Sequence, residues 1–284
     1  MSASGRRHQV KHAVGRGLSV RRACALLGVA RSAWKYRSKK KDKDMDVTAK
    51  MRELSGQYPR YGYRRIRVFL ERAGHPMGRQ RAYRLWRLAK LQVPRKRPRR
   101  RVASARPRPL APTGSGQVWA YDFVHDTCAN GQKLKCLTIV DEFTRECLAI
   151  DVGGGIRSGR VIEVLSQLVS MHGAPKYIRS DNGPEFVSHA VLRWITSAGI
   201  ETALSDPGKP WQNGTDESFN VKFRDECLSM EWFRSRREAV PVISIWRTHY
   251  NEVRPHSSLG ELTPMEYKNK LSRKDNPAEG TTLT

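Results

Sequence analysis

Val118-Trp119-Ala120-Tyr121-Asp122-Phe123-Val124-His125 is the stretch that decides the fold, because it reads as a strand with a carboxylate in its middle. Val118, Ala120 and Val124 share a face with Asp122, so the charge stands beside the core, where strands tolerate Asp poorly without a compensating partner. Two more apolar runs, 134–143 and 146–152, follow at hairpin spacing and predict three strands in succession. Downstream, Val161, Ile162, Leu165, Leu168 and Val169 mark an amphipathic helix over 158–172. A short strand is expected at 176–181, a helix at 189–198, a strand at 200–205 and a helix from 212 to about 228. Strands in a run followed by alternating helices and strands predict an α/β unit, a mixed sheet flanked by helices.

That order of elements matches the ribonuclease H-like fold. Three carboxylates fall at informative places on it: Asp122 in the first strand, Asp181 at the end of the 176–181 strand, and Glu217 in the last helix. Ligands bind beyond the carboxyl ends of parallel strands, which favours Asp181. Ionised carboxylates offer only acceptor oxygens and suit hard divalent cations, and three converging on one point would repel unless cations held them. Rivals exist. Asp126 and Asp141 fall at strand ends and read as turn formers, and Glu185 lies past the Asn182-Gly183-Pro184 turn. Asp216 adjoins Glu217 and points about 100° away on a helix, so the two do not share one site. Asn220 and Arg224, three and seven residues after Glu217, lie on its face, with Arg224 placed to meet a phosphate.

The chain carries a formal charge of +26, and its distribution is the informative part. Residues 1–116 hold 33 Lys+Arg against 5 Asp+Glu, whereas 117–284 hold 20 against 22. All the excess positive charge is N-terminal, which points to a polyanionic partner bound by that half. No apolar run reaches the ~20 residues of a membrane span and no signal peptide opens the sequence, so neither a membrane role nor secretion is expected. Cysteines 24, 128, 136, 147 and 227 form no Cys-x-x-Cys pair and are expected as buried thiols in a reducing compartment.

The basic half divides further. Residues 1–43 are expected to hold a basic helix-turn-helix-like segment, with Ser19 capping one helix, Gly28 making the turn and Ser32 opening the next. Arg31, Lys35 and Arg37 would be its DNA-facing cations. Residues 44–93 predict three helices (48–55, 62–73 and 79–90) with Arg-rich polar faces. Arg64 and Arg65 are the cations singled out there for DNA. Ile66, Phe69, Leu70 and Ala73 make one packing stripe, and Ala82, Tyr83, Trp86 and Leu88 another. Residues 94–117, with five prolines and Arg95, Arg97, Arg99, Arg100 and Arg101, read as an extended basic linker able to grip phosphates. A catalytic unit over 118–270 and a disordered tail over 271–284 complete the layout. Thr263-Pro264-Met265-Glu266 is a capping box that starts a final helix.

The motifs Trp-x-x-Asp122-Phe, Ser-Asp181-Asn-Gly-Pro-Glu-Phe, Asn-x-x-x-Glu217-Ser-Phe-Asn and Tyr250-Asn-Glu-Val-Arg-Pro-His256 resemble the OrfB transposases of bacterial insertion sequences. The unit Tyr58-Pro-Arg-Tyr-Gly-Tyr-Arg-Arg resembles the helical region that precedes their retroviral-integrase-like core. The resemblance implies that Asp122, Asp181 and Glu217 are an acidic triad for two Mg²⁺, with Mn²⁺ able to substitute, and that Arg224 is the basic residue after the Glu. It implies DNA strand cleavage and transfer on element ends and target, a homo-oligomer on DNA, an upstream-frame transposase subunit, and a cytoplasmic, nucleoid-associated site of action. A non-catalytic DNA-binding regulator and a ribonuclease H-like nuclease are the alternative readings. Val221 departs from the small Gly expected there and puts local packing in question.

Overall fold

The computed structural model describes residues 3–36, 40–94, 111–180, 188–203 and 214–275. They fall into two units, Met1–Gln92 and Val93–Thr284.

The first unit is helical throughout. Helix α1 (Ala3–Gly15) precedes α2 (Val20–Leu26) and α3 (Arg31–Lys35). Ser19 caps α2 as expected, accepting from the Arg22 N–H at 3.3 Å, and Gly28 turns the chain at φ +60°. Ser32 does not open α3. The N-cap is Ala30, whose extended backbone already redirects the chain, and Ser32 lies inside the helix. Helices this short are marginal alone and need packing. Val10 of α1 supplies it, burying against Ala23 and Cys24 with Trp34 at the edge.

Three longer helices follow, α4 (Lys40–Gln57), α5 (Tyr63–Arg72) and α6 (Arg79–Leu88). The three-helix expectation matches, but α4 starts earlier and runs through the expected 43/44 boundary. Val47, Met51 and Leu54 of α4, Ile66 and Leu70 of α5, and Ala82, Leu85 and Trp86 of α6 are buried where the three helices meet. Phe69 is half-buried and stacks on Tyr58 at 4.8 Å, whereas Ala73 is exposed at the end of α5. Tyr83 and Leu88, expected in the packing, are 40% and 69% exposed. At 100° per residue Ala82, Leu85 and Trp86 fill one face of α6 and leave those two on the other.

In the second unit the three predicted strands form β1 (Val118–Thr127), β2 (Lys133–Asp141) and β3 (Cys147–Gly153), paired antiparallel. Helix α7 (Ser158–His172) crosses over to β4 (Tyr177–Arg179), which pairs parallel to β1. Helix α8 (His189–Ser197) leads to β5 (Glu201–Thr202), parallel to β4. The sheet order is β3-β2-β1-β4-β5, the mixed sheet expected. β2 is the antiparallel partner of both β1 and β3 and is buried almost end to end, with Lys135, Thr138 and Asp141 buried among its apolar residues.

Helices cover both faces. Trp119, Tyr121, Leu137 and Ile139 pack on α7 and α8. Val124, Cys136, Val140 and Cys147 pack on α9 (Gly214–Phe223) and α10 (Arg236–Glu252). Helix α10, which the sequence reading leaves out, contributes Ala239, Ile243, Trp246 and Tyr250 to that second core. The chain ends in α11 (Pro264–Asp275), opened by the expected capping box: Thr263 N–H donates to Glu266 at 2.8 Å, and Glu266 N–H to Thr263 Oγ1 at 3.1 Å. Residues 271–275, expected in the tail, therefore belong to this helix, and the remainder of the tail lies outside the described residues. Val221 is 56% exposed, so its departure from Gly meets no packed neighbour surface.

Candidate active site

Strand β1 is buried from Val118 to Tyr121 and then opens at Asp122 and Phe123, which are half-buried. Asp122 lies on the α9 face, directly opposite Thr138 in the antiparallel register. Helix α9 closes on it through Asn220, whose amide Nδ2 donates to Asp122 Oδ2 at 2.7 Å. The Thr138 hydroxyl lies 3.2 Å from Asn220 Oδ1 and 3.1 Å from the Asp122 carbonyl, so it ties both residues to β2. The Phe123 N–H donates to Asp122 Oδ1 at 2.7 Å. Each Asp122 carboxylate oxygen thus accepts an N–H, and each retains lone-pair capacity for another partner.

Glu217 lies one turn before Asn220 on α9 and is exposed. Residues three apart on a helix are neighbours, with Cβ atoms about 5–6 Å apart. The Asn220 contact therefore brings the Glu217 turn to the Asp122 strand. Asp216, one residue earlier and about 100° around α9 from Glu217, is fully buried, whereas Glu217 is exposed. After Phe223 the α-helix gives way to one π-helical turn, Arg224–Leu228. Arg224, exposed at its start, donates to the His125 carbonyl at 3.0 Å, three residues beyond Asp122 along β1.

Asp181, the expected Asn182-Gly183-Pro184 turn and Glu185 lie outside the described residues. Among the described residues no three His, Cys, Asp or Glu side chains come together as a metal cluster. Asp141 is the turn former that its position predicts, accepting from Gly116, Phe143 and Thr144 N–H groups at 2.7–3.0 Å. Asp126 likewise accepts from the Thr127 N–H at 2.8 Å.

Two buried ion pairs frame this region, and sequence reasoning missed both. Arg179 at the end of β4 pairs with Glu142 at 3.4 Å, with side-chain exposures of 2% and 0%. Arg254 makes a two-pronged pair with Glu226 of the π turn, Nε–Oε2 and Nη2–Oε1 both 2.6 Å. Its neighbours in the Tyr250–His256 motif complete the arrangement: His256 meets the Tyr250 ring edge-on at 4.7 Å between centroids. Burial pushes the Tyr250 hydroxyl well above the usual tyrosine range. The motif was legible in the sequence, whereas its partner Glu226 carried no signal.

Of the cations expected to face DNA, Arg31 and Lys35 are exposed on α3 and Arg64 is exposed on α5. Arg65 is half-buried and lies over the Tyr61 ring at 4.9 Å. Arg37 and the Arg95, Arg97, Arg99, Arg100 and Arg101 cluster lie outside the described residues. No helix among the described residues is long and apolar enough to cross a membrane.

Comparison with known proteins matches residues 112–210 and 198–264 to two family models described as Integrase core domain, and residues 41–99 to an HTH-like domain. The chain is 43% identical over 253 residues to the 31.7 kDa protein of insertion element IS407 from Burkholderia multivorans, covering 89% of this chain and 91% of that one. It is 42% identical over 250 residues to the 39.2 kDa protein of insertion element IS476 from Xanthomonas euvesicatoria, covering 88% and 72%. Transposase InsD of insertion element IS2 from Escherichia coli is 30% identical over 239 residues, covering 79% and 78%. Among solved structures, the HTLV-2 integrase catalytic core domain matches at 20% identity and a TM-score of 0.40, covering 54% of this chain and 96% of that one. With relatives aligned along most of both chains, and with an integrase core following an HTH-like domain, this chain belongs to the OrfB-type transposases of bacterial insertion sequences.

Proposed function

We propose that the chain is a DDE transposase that cuts and joins DNA strands at a site formed by Asp122, Asp181 and Glu217. The observation that carries this reading is the 2.7 Å contact from Asn220 to Asp122, which brings the Glu217-bearing helix against the Asp122-bearing strand. The parallel register supports the third acid: Val118 pairs with Tyr177 and Ala120 with Arg179. In sequence, Asp181 follows Arg179 by two residues as Asp122 follows Ala120.

The donor set fits a hard divalent cation, because carboxylate oxygens are the ligands Mg²⁺ prefers. Asp122, Asp181 and Glu217 would hold two Mg²⁺. When bound, the ions supply Lewis-acid polarisation of the phosphoryl group and a more acidic attacking hydroxyl. The chain's own residues do the positioning. Asn220 and the Phe123 N–H hold the Asp122 carboxylate in one orientation, and Thr138 holds Asn220. Arg224, anchored on the His125 carbonyl, is placed to hydrogen-bond a phosphate oxygen beside the acids.

In the first reaction a water oxygen bonds to phosphorus as the 3′ oxygen leaves and takes a proton, freeing a 3′-hydroxyl. In the second, a 3′-hydroxyl attacks another phosphodiester and the oxygen it displaces takes the proton. Family resemblance makes the first joining one between the element's own ends, giving a circular intermediate. No protein nucleophile is required. A homo-oligomer on DNA, an upstream-frame subunit carrying further end recognition, and action in the bacterial cytoplasm on the nucleoid belong to the same proposal.

The test incubates the full chain, with and without its upstream-frame partner, with labelled element ends and Mg²⁺. Cut ends and joined products are expected. Cutting without joining would make the chain a nuclease, and full cutting by Glu217→Gln at saturating Mg²⁺ would remove Glu217 from the site.

A further inference from the structure

The outer face of α6 forms one wall of a cavity of about 1030 Å³, and the first turns of α4 form the other. Lys43, Asp44, Arg81, Tyr83, Arg84 and Arg87 line it. These α6 side chains sit opposite the buried Ala82, Leu85 and Trp86, so the groove faces away from the helix packing. Four cations and one carboxylate leave a net local charge of about +3.

Asp44 organises that charge. Its Oδ1 accepts from Arg81 Nε at 3.0 Å and Nη2 at 2.8 Å, and its Oδ2 accepts from Arg84 Nη2 at 2.6 Å. The Arg84 guanidinium, and then Arg81, hold the Asp44 carboxyl below the usual carboxylate range. The arginine side chains nevertheless stay 39% and 46% exposed. A guanidinium has five N–H donors, so Arg81 and Arg84 both keep donors for another acceptor after meeting Asp44. Asp44 therefore fixes the two forks without cancelling them. Arg87 adds a third cation one turn on, its guanidinium 5.9 Å from the centre of the Tyr83 ring. From Arg81 to Arg87 the helix rises about 9 Å. Successive phosphates of one DNA strand advance about 3.4 Å along the axis, so the row spans two to three phosphate intervals.

We infer that this α4–α6 groove binds the phosphate backbone of duplex DNA, with Arg84 and Arg87 as contacts and Asp44 as the residue that aims Arg81 and Arg84. The inference rests on the DNA-acting reading above and assigns residues that the sequence patterns did not single out. The groove is far larger than a lone anion needs, and Asp44 is its single acid. An exposed aromatic beside an ordered arginine row suits an extended polyanion.

The test measures binding of the full chain to a duplex of about 20 bp by fluorescence anisotropy across a salt series. Arg87→Ala is the informative variant, because Arg87 lies outside the Asp44 clamp that holds α4 to α6. Arg273→Ala, exposed on α11, removes the same charge elsewhere as the control. Loss of one phosphate contact is expected to make the slope of log K against log salt shallower by about 0.9 and to weaken binding by roughly 5–10-fold near 0.1 M salt. Arg87→Glu should weaken it further, with unchanged thermal unfolding. If wild type binds and both Arg87 variants match the Arg273→Ala control, the groove assignment is overturned while the transposase reading stands. If wild type shows no salt-dependent DNA binding, the DNA-acting reading fails first. If inorganic phosphate at constant ionic strength abolishes the Arg87-dependent part, the groove is a small-anion site and the assignment is overturned.

Discussion

Removing the Arg254 guanidinium tests how α9, the helix that carries Glu217, is held. Glu226 sits in the π turn directly after α9, and Arg254 closes on it with two 2.6 Å hydrogen bonds. The side chains are 1% and 7% exposed, so water cannot replace a lost partner. Breaking such a pair by deleting one member costs about 3–5 kcal/mol, because a charge is left buried. In a unit of this size each kcal/mol moves the unfolding midpoint by roughly 2–4 °C. Arg254→Met is therefore expected to lower the midpoint by roughly 6–20 °C. Replacing both members, as Arg254→Met with Glu226→Leu, removes the desolvation cost along with the attraction and is expected to recover most of that loss. Thermal unfolding of the wild type, the two single variants and the double variant gives the coupling energy of the pair directly. A coupling near zero, with the double variant as destabilised as the two singles together, would refute the argument. So would a shift under about 2 °C for Arg254→Met.

Three further outcomes follow from particular contacts. Asn220→Ala removes the amide that holds Asp122, and partners of this kind typically change activity by about 10–100-fold, so strand cleavage should fall within that range. Cleavage within twofold of wild type would show that Asp122 needs no such support. Asp44 has its folded pKa depressed below 3.8, chiefly by the hydrogen bond from Arg84, so its contribution is fully present above that value. That contribution is lost as pH falls through the lower folded value. Wild type but not Asp44→Asn should show this added acid sensitivity in helical circular dichroism, and matching acid profiles would count against it. Burial pushes the Cys136 and Cys227 thiols up to about 12, and all five cysteines are buried outside disulfides. The folded chain should resist thiol reagents at pH 8 and label fully once unfolded; rapid labelling of the native chain would contradict the burial.

The strands and α7 were legible because their patterns are local. The apolar start of β1, Val118–Tyr121, and the largely apolar middle of β2 mark strands covered on both faces. Helix α10 was not legible for the opposite reason. Its segment contains Val240, Pro241, Val242, Ile243 and Ile245, a composition that argues against helix by propensity. The countervailing signal is the helical spacing of Ala239, Ile243, Trp246 and Tyr250, and packing against Phe219 and Phe223 decides for it. The π turn was hidden similarly, since a reading at 3.6 residues per turn continues α9 smoothly past Arg224. In the candidate site, the three proposed acids come from motifs and spacing in the sequence. The supporting shell could not, because Thr138, Glu142 and Glu226 are ordinary residues until strand register and chain crossing give them partners.

The ion pairs also explain how the two halves of the sequence divide the work. The second half is near neutral by count, with 20 Lys+Arg against 22 Asp+Glu over 117–284. Several of those cations are already committed to internal acids: Arg179 to Glu142, Arg254 to Glu226, Arg160 to Asp151 and Lys268 to Glu146. A cation held this way contributes little to long-range attraction of DNA, because its field is cancelled within a few ångströms. It instead fixes the strand ends and helix turns beside the acids. The first unit has one-to-one pairs too, Lys50 with Glu53 and Arg67 with Glu71, but its α4–α6 groove differs. Asp44 engages two arginines at once and lies in a groove that still carries excess positive charge. One carboxylate per pair rigidifies the core, and one carboxylate for several arginines orients a binding surface. That difference in stoichiometry, more than the total charge, separates the part of the chain suited to holding DNA from the part suited to cutting it.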